Sequence, residues 1–442
     1  MLTIPADVRN VLNQLRSFGY EAYIVGGAVR DLLLGTEPFD YDVATNAMPE
    51  KVYELFDHCS MPTGIRHGTI TVLGQVNVEV TTYRKDGVYA DHRHPESVEF
   101  TDRIEEDLRR RDFTVNAMAM DLEGNIVDPF GGREDLERKI LRTVGDAEER
   151  FFEDALRMLR CLRFAATLGF SIEETTEKAL FARKNELSYL AGERVRAEYD
   201  KLLLGTSMRE VLLRYAEVLG VLLPEILPSV GFSHLNPHHC YDVWEHDVRA
   251  AELMPRSALL RWVMLLHDVG KPAVAVYDEQ AQKLRFRGHQ KASAELAEAV
   301  FARLRFTKEE KERALRLILF HDVILEPTEL CARETLRRFG ETDARALIEM
   351  HRADNGAQHP DYRTWEGKLQ AFSELLQKVL DEGQCVSLKQ LAVKGEDLTA
   401  FGYRGAAVGE TLEALLTAVI REEVSNEREA LLHYAKELKN KK

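Results

Sequence analysis

The hydrophobic pattern of the chain changes character near residue 145, and this change constrains the fold more than any other feature. Before it, runs rich in β-branched and aromatic residues alternate with helical stretches. Residues 22–25, 41–44, 69–73, 78–83 and 117–121 read as strands, and 74–77 has the turn chemistry of a hairpin. After it, Leu, Ala, Glu and Arg recur with helical spacing nearly to the end. The pattern predicts an α+β fold, with a mixed-sheet head followed by an all-helical remainder. A chain of 442 residues needs more than one core. Softer breaks at 205–207, 224–237 and 381–383 suggest a head over 1–145, a helical neck over 146–205, a helical body over 206–375 and a helical tail over 376–442.

Residues 21–31 read Glu-Ala-Tyr-Ile-Val-Gly-Gly-Ala-Val-Arg-Asp. A short buried strand runs into Gly26 and Gly27 and then directly into an amphipathic helix. The glycines let the backbone turn tightly and bring bare N–H groups toward a ligand. The positive end of the following helix points at the same place, which suits a phosphate chain, and Arg30 lies in its first turn. Taken alone, the pair would also fit an ordinary tight turn. The next element alters that reading. In Phe39-Asp40-Tyr41-Asp42-Val43 two carboxylates lie two apart on a strand and share a face. Side by side they repel unless a cation neutralises them, and magnesium takes oxygen ligands of this kind together with substrate phosphates. Glu79, in Val78-Glu79-Val80, is a third acid on a mostly apolar strand, where a lone carboxylate is costly.

Gly26-Gly27, then Asp40-x-Asp42, then Glu79 resembles the nucleotidyltransferase superfamily that includes DNA polymerase β. The resemblance implies metal-assisted in-line attack of a 3′-hydroxyl on an α-phosphate, with pyrophosphate departing. Arg109-Arg110-Arg111-Asp112-Phe113-Thr114-Val115-Asn116 and Asp128-Pro129-Phe130-Gly131-Gly132 are similar to motifs of the class II tRNA nucleotidyltransferases, shared with bacterial poly(A) polymerases. In that family the positions matching Asp112 and Asn116 lie near the sugar and triphosphate, with Arg111 beside them. The stretch Tyr83-Arg84-Lys85-Asp86-Gly87-Val88-Tyr89-Ala90-Asp91-His92-Arg93 resembles the family's flexible loop. Gly192-Glu193-Arg194 resembles a neck motif that supports the base-reading helix, although the family usually has Ser where Gly192 stands.

In Glu153-Asp154-Ala155-Leu156-Arg157-Met158-Leu159-Arg160, residues Ala155, Leu159, Leu162 and Ala166 form an apolar stripe at helical spacing. Glu153, Asp154, Arg157 and Arg160 fall on another face, with Asp154 and Arg157 three apart and adjacent. A surface ion-pair helix would look the same. The resemblance implies instead that Glu153, Asp154 and Arg157 select the base. Cytosine and adenine each present an exocyclic amine beside a ring-nitrogen acceptor, which an Asp and an Arg can read. Uracil and guanine reverse both polarities and leave buried polar groups mispaired.

His246, His267-Asp268 and Asp354 resemble the ligand pattern of HD-domain phosphohydrolases and would hold a divalent metal, the second beside the head's Mg2+, with His289 and His321 as further candidate ligands of that same site. The family has members with and without this domain. Here it is either a repair phosphodiesterase acting on terminal or cyclic phosphates or a retained scaffold. The segment from Val393-Lys394-Gly395 onward resembles the tail that grips tRNA.

The net charge of −15 disfavours non-specific binding to polyanions, but it leaves room for a local basic groove. Arg109, Arg110 and Arg111 are consecutive, and a second cluster runs from Arg303 to Arg316. For the latter a solvated helix face is an equal reading. Five scattered cysteines without a CxxC pair, no signal-peptide pattern and no apolar run long enough to span a bilayer point to the cytoplasm.

The expected activity is therefore addition of CMP and AMP, from CTP and ATP with Mg2+, to the tRNA 3′ end. An enzyme adding only CC is disfavoured because the loop resembling the family's is not shortened. An enzyme adding only the final A, with a partner adding CC, stays open. A poly(A) polymerase is less favoured, since no extra basic motif interrupts the strands around 69–82. An HD phosphohydrolase with a degenerate head would need broken head motifs, and these are complete.

Overall fold

A computed structural model describes residues 4–64, 68–87 and 98–441. The chain divides into two compact units, residues 1–227 with 303–305 and residues 228–302 with 306–442.

The first unit contains β1 (Ala22–Val25), β2 (Tyr41–Thr45), β3 (Ser60–Gly64), β4 (Thr69–Val72), β5 (Val78–Thr82), β6 (Arg84–Asp86), β7 (Val98–Phe100), β8 (Ala119–Met120) and β9 (Ile126–Val127). Seven of these form one sheet in the order β3-β4-β5-β2-β1-β8-β9, while β6 and β7 pair separately. The ladder between β2 and β5 is parallel and the others in the sheet are antiparallel, so the sheet is mixed. Asp42 sits opposite Val25 on β1 and opposite Glu79 on β5. The expected hairpin at 74–77 joins β4 to β5, with Val72 opposite Val78. Residues 88–93 of the stretch resembling the flexible loop lie outside the described residues.

The strands depart from the sequence reading in two places. The strand expected over 117–121 is reduced to Ala119–Met120, because the chain first makes a 3-10 turn over Thr114–Asn116. The Asn116 side chain donates to Asp112 Oδ1 at 3.1 Å, a local bond that competes with extension. Strands β3 and β9 were not anticipated. Pro62 and Gly64 deprive β3 of an alternating pattern.

The helices of this unit are α1 (Ala6–Ser17), α2 (Gly27–Leu34), α3 (Pro49–Leu55), α4 (Ile104–Arg109), α5 (Gly132–Arg138), α6 (Ala147–Glu153), α7 (Leu156–Leu168), α8 (Glu174–Arg183) and α9 (Gly192–Leu203), followed by shorter ones. Under the sheet, Val25, Ala44, Tyr83, Ile104, Leu108 and Ala119 form a buried cluster that fixes α4 beside β1. A single helix was expected through residues 153–160. The structure breaks it at Asp154, whose backbone is extended at φ −141 and ψ 104. There the Asp154 carboxylate accepts from the Leu156 N–H at 3.1 Å, and Arg157 donates to the Arg150 carbonyl at 3.0 Å. The side chains thus satisfy backbone groups that a continuous helix would have paired.

The second unit is helical apart from a small hairpin, Val276–Asp278 with Lys283–Arg285. One buried cluster joins Leu336, Ala344 and Ile348 of the helix Glu329–Gly356 to Leu369, Phe372 and Leu376 of Glu366–Asp381. A separate one, around Leu398, Leu415, Leu416 and Leu431, lies in the last three helices. In the basic cluster, Arg313 and Arg316 both pair with the buried Asp343, and Lys308 and Lys311 lie beside Glu312 and Glu298. Those positions read as paired helix-face charges. Among the described residues, no helix is long and apolar enough to cross a membrane.

Candidate active site and a buried histidine cluster

Strand β1 ends at Val25 and hands over to Gly26, whose φ of 72 and ψ of −138 lie in a region that essentially only glycine occupies. A Cβ at Gly26 would fall 2.8 Å from Arg111 Nη1 and 3.6 Å from Asp42 Oδ2. The missing side chain is thus the space into which a guanidinium and a carboxylate converge. Helix α2 starts at once, and buried Arg30 is held from two sides, donating to Asn116 Oδ1 at 2.7 Å and to Asp31 Oδ1 at 2.8 Å.

Asp42 alternates with buried Tyr41 and Val43 on β2, so its carboxylate stands on the opposite face from theirs. Burial pushes its carboxyl up to about 6. Arg111 opposes that rise, and Asp40 and Glu79 add to it. Arg111 is itself shared with the buried Asp107, at 3.3 Å. Asp40 and Glu79 are exposed. The set is a half-buried carboxylate with acids on either side and one shared guanidinium. Its donors are all oxygen, which fits a hard divalent cation that keeps part of its water shell.

Gly26, Gly27, Arg30, Asp40, Asp42, Arg111, Asp112, Asn116, Asp154, Arg157 and Arg160 line one cleft of about 460 Å3. Glu79 and Glu153 do not line it, and Glu153 faces a neighbouring cleft with Arg109, Arg110 and Arg150. The sequence reading missed Arg163, Phe164 and Lys201, which complete the wall. Arg163 lies 3.5 Å above the centroid of the Phe164 ring, and Arg30 and Arg160 lie at 5.1 and 5.4 Å. The i, i+3 spacing of Arg157, Arg160 and Arg163 on α7 was a legible signal for one cationic face. Lys201 had none.

A chain of polar contacts crosses this wall. Asn116 bridges Arg30 to Asp112, and Arg160 donates to Asp112 Oδ2 at 2.9 Å. Burial alone would raise the Asp112 carboxyl. Arg160, Asn116 and the Phe113 N–H more than offset it and hold the group at about 2. Asp112 and Asn116 therefore fix two arginines in place as well as facing the cleft. Asp154 and Arg157, expected to be neighbours on one helical face, take separate partners across the break. Asp154 Oδ2 accepts from Arg194 at 3.2 Å, while Arg157 pairs with Glu153 at 2.5 Å and donates to the Arg110 carbonyl at 3.0 Å. Both still line the cleft.

In the second unit, His246, His267, Asp268 and Asp354 bring one donor atom each within 4.8 Å of one another. His246 Nε2 lies 2.9 Å, and His267 Nε2 3.4 Å, from Asp354 Oδ1. They come from the helix Val243–Leu253, from the end of Ala258–Leu266 and from Glu329–Gly356. Burial would discharge His267, but Asp268 and Asp247 pull its imidazole up to about 10. The nitrogen and oxygen donors suit a divalent transition metal.

A CCA-adding enzyme of Geobacillus kaustophilus is 36% identical over 95% of this chain and 94% of its own length. The chain belongs to the CCA-adding enzyme family. A relative of the same name from Geobacillus thermodenitrificans is 50% identical over 48% of the chain, and that match spans 53% of the relative, about half its length. The solved Bacillus stearothermophilus CCA-adding enzyme in complex with CTP is 31% identical, with a TM-score of 0.76, over 99% of both chains. Residues 22–142 match the poly A polymerase head domain and 169–229 a probable RNA- and SrmB-binding site of polymerase A. Residues 238–334 match the HD domain, and 291–435 a putative domain 2 of tRNA nucleotidyltransferases. The HD match includes His246, His267 and Asp268 and stops short of Asp354. The expected α+β class is the class of the family, whose nucleotidyl transfer uses a divalent metal.

Proposed function

We propose that the chain builds or repairs the CCA end of tRNA, transferring CMP and AMP from CTP and ATP to the 3′-hydroxyl and releasing pyrophosphate. The observation that carries this reading is the single cleft joining the glycine turn and the acid pair Asp40 and Asp42 to Asp154 and Arg157. Asp40 and Asp42 would hold Mg2+, with Glu79 beside them. When bound, magnesium lowers the barrier to attack by the 3′-oxygen and neutralises the departing pyrophosphate. Gly26, Gly27 and the start of α2 bind the triphosphate through backbone N–H groups, and Arg30 and Arg111 add charge. Asp112, Asn116 and Arg160 orient the sugar side. Asp154 accepts from the exocyclic amine of C or A and Arg157 donates to the ring nitrogen, with Glu153 holding Arg157. The head, neck, body and tail boundaries at 145, 205 and 375, tRNA gripping by the tail, and action in the cytoplasm belong to the same proposal.

The test is incubation with Mg2+ and tRNAs lacking CCA, or lacking only the final A, with CTP, ATP or both. Completion of both substrates is expected. Extension of the second substrate alone would replace this reading by A-addition, and extension of neither would reject it. Asp154→Ala should relax discrimination of CTP over UTP more than it weakens triphosphate binding. Unchanged discrimination would remove Asp154 from base reading.

A second activity is favoured by the cluster of His246, His267, Asp268 and Asp354. We propose that it holds a divalent transition metal and hydrolyses phosphate esters. Release of phosphate from a 3′-phosphorylated tRNA end, or opening of a cyclic phosphate to a monophosphate that stays on the ribose, lost in Asp268→Ala, is the expected result. No release under any divalent metal would leave the cluster a scaffold.

A further inference from the structure

Helix α9 backs the wall of the cleft. Arg194 donates to Asp154 Oδ2 at 3.2 Å, Glu198 accepts from Arg163 Nε at 2.8 Å and lies 3.8 Å from Arg160, and Lys201 reaches the cleft itself. Asp154, Arg160, Arg163 and Lys201 therefore all follow the position of one helix.

Ala191 precedes α9 and supplies no side-chain cap. Against the first helical residue, Gly192, lies a carbonyl from far along the chain. A Cβ at Gly192 would stand 2.0 Å from the Arg303 oxygen, 3.1 Å from the Arg303 carbonyl carbon and 3.3 Å from Leu304 Cα. A carbon keeps about 3.3–3.6 Å from a carbonyl oxygen even in a close contact, so any side chain here must move α9 or the segment by about 1 Å or more. The φ of Gly192 is not positive, so close approach alone calls for glycine. The oxygen also suits the positive end of the helix.

The segment that provides this carbonyl is itself held firmly. Arg303 donates to both oxygens of Glu225, at 2.9 and 2.7 Å. Leu304 is buried. Arg305, at φ 58, takes the left-handed position that ends the helix His289–Arg303, where glycine is usual, and the Phe306 N–H returns to the Phe301 carbonyl at 3.0 Å. Residues 303–305 pack as part of the first unit, whereas the residues before and after them belong to the second.

We propose that Arg303–Arg305 is a stop that sets α9 along its axis, and that Gly192 and Arg303 are positioning residues for nucleotide choice. The inference rests on the reading of the cleft as base-selecting and adds to it residues that touch no substrate. Displacing the start of α9 carries Arg194 and Glu198 with it. Asp154 then loses the guanidinium on its Oδ2, and Arg160 and Arg163 lose the carboxylate they share. A misplacement of about 1 Å made far from the chemistry can cost ~100-fold in rate. Asp40 and Asp42 belong to the β2 region and not to α9, so the loss falls on nucleotide choice more than on transfer.

The test is single-turnover incorporation of CTP and of UTP into a tRNA lacking CCA, by the full chain with Mg2+. The parent is compared with Gly192→Ala, Arg303→Ala and Asp154→Ala, each checked by circular dichroism melting. Gly192→Ala should lose at least ~10-fold of the preference for CTP over UTP. Arg303→Ala, which frees the segment from Glu225 without adding an atom, should lose about 3-fold. A folded Gly192→Ala with an unchanged preference, or with a rate loss shared equally by both nucleotides, would overturn the proposal. Should Gly192→Ala unfold, Arg303→Ala decides in the same way. Asp154→Ala separates the two readings. An unchanged preference there removes Asp154 from base selection, whereas a preference lost there and kept in both positioning variants removes only the stop.

Discussion

At the scale of single residues, Gly26 carries the heaviest demand. Its positive φ and the 2.8 Å clearance to Arg111 Nη1 mean that Gly26→Ala must strain the backbone and displace the guanidinium together. Backbone strain of this kind costs about 1–3 kcal/mol. We expect kcat/KM for CTP incorporation to fall at least ~10-fold, the equivalent of ~1.4 kcal/mol. An unchanged value would mean that Arg111 is not needed where it stands. Asp42 gives a prediction of opposite sign. Its folded carboxyl, at about 6, lies above the usual value of 3.8, so in metal-free protein its ionisation opposes folding. Asp42→Asn should therefore abolish addition yet raise metal-free stability at pH 8 by up to ~3 kcal/mol. The gain should shrink as pH falls through 6 and vanish below 3.8, where the folded and unfolded forms are both protonated. Chemical unfolding at three pH values checks it. These residues were legible because an Asp-x-Asp on a strand and a Gly-Gly before a helix are local patterns. The Asp154–Arg194 contact was not, because it joins positions 40 apart through the packing of α7 on α9.

The elements show where legibility ends. Strands β1, β2, β4 and β5 were readable because β-branched and aromatic residues are concentrated in them, whereas β3 and β9 lack such a run. The break between α6 and α7 was hidden because Phe151, Ala155, Leu159 and Leu162 are all buried, so the apolar stripe runs through it without interruption. Only the capping chemistry of Asp154 marks the break, and Asp is too common in helices to announce it. The junction of α5 with the 3-10 turn Thr114–Asn116 is equally demanding. A Cβ at Gly132 would sit 2.2 Å from the Thr114 carbonyl and 2.9 Å from Met118 Cγ. Gly132→Ala should force α5 away from the turn that presents Asn116 to Arg30. Overpacking of this kind costs about 1–3 kcal/mol. The expected outcome is a lowered urea midpoint together with a raised KM for nucleotide. A midpoint within error of the parent would show that the turn can give way freely.

Over the whole molecule, the chain carries two donor sets of different chemical character. Asp40, Asp42 and Glu79 offer only oxygen, and the histidine cluster offers mainly imidazole nitrogen with carboxylate. The head set was legible from one short segment plus Glu79. The histidine cluster required residues from position 246 to position 354 to meet, which sequence order could suggest but not place. Hard and borderline cations partition between such sets by ligand type. Stripping the protein with a chelator should therefore remove both activities, and different ions should restore them. Mg2+ alone should return nucleotide addition without phosphate release. Co2+ or Mn2+ added at a low excess over protein should return phosphate release, since nitrogen ligands bind these ions tightly while the oxygen set retains them weakly. Equal recovery of both activities with Mg2+ alone would show that the imidazole cluster does not set the metal preference, and the assignment of hydrolysis to it would fall.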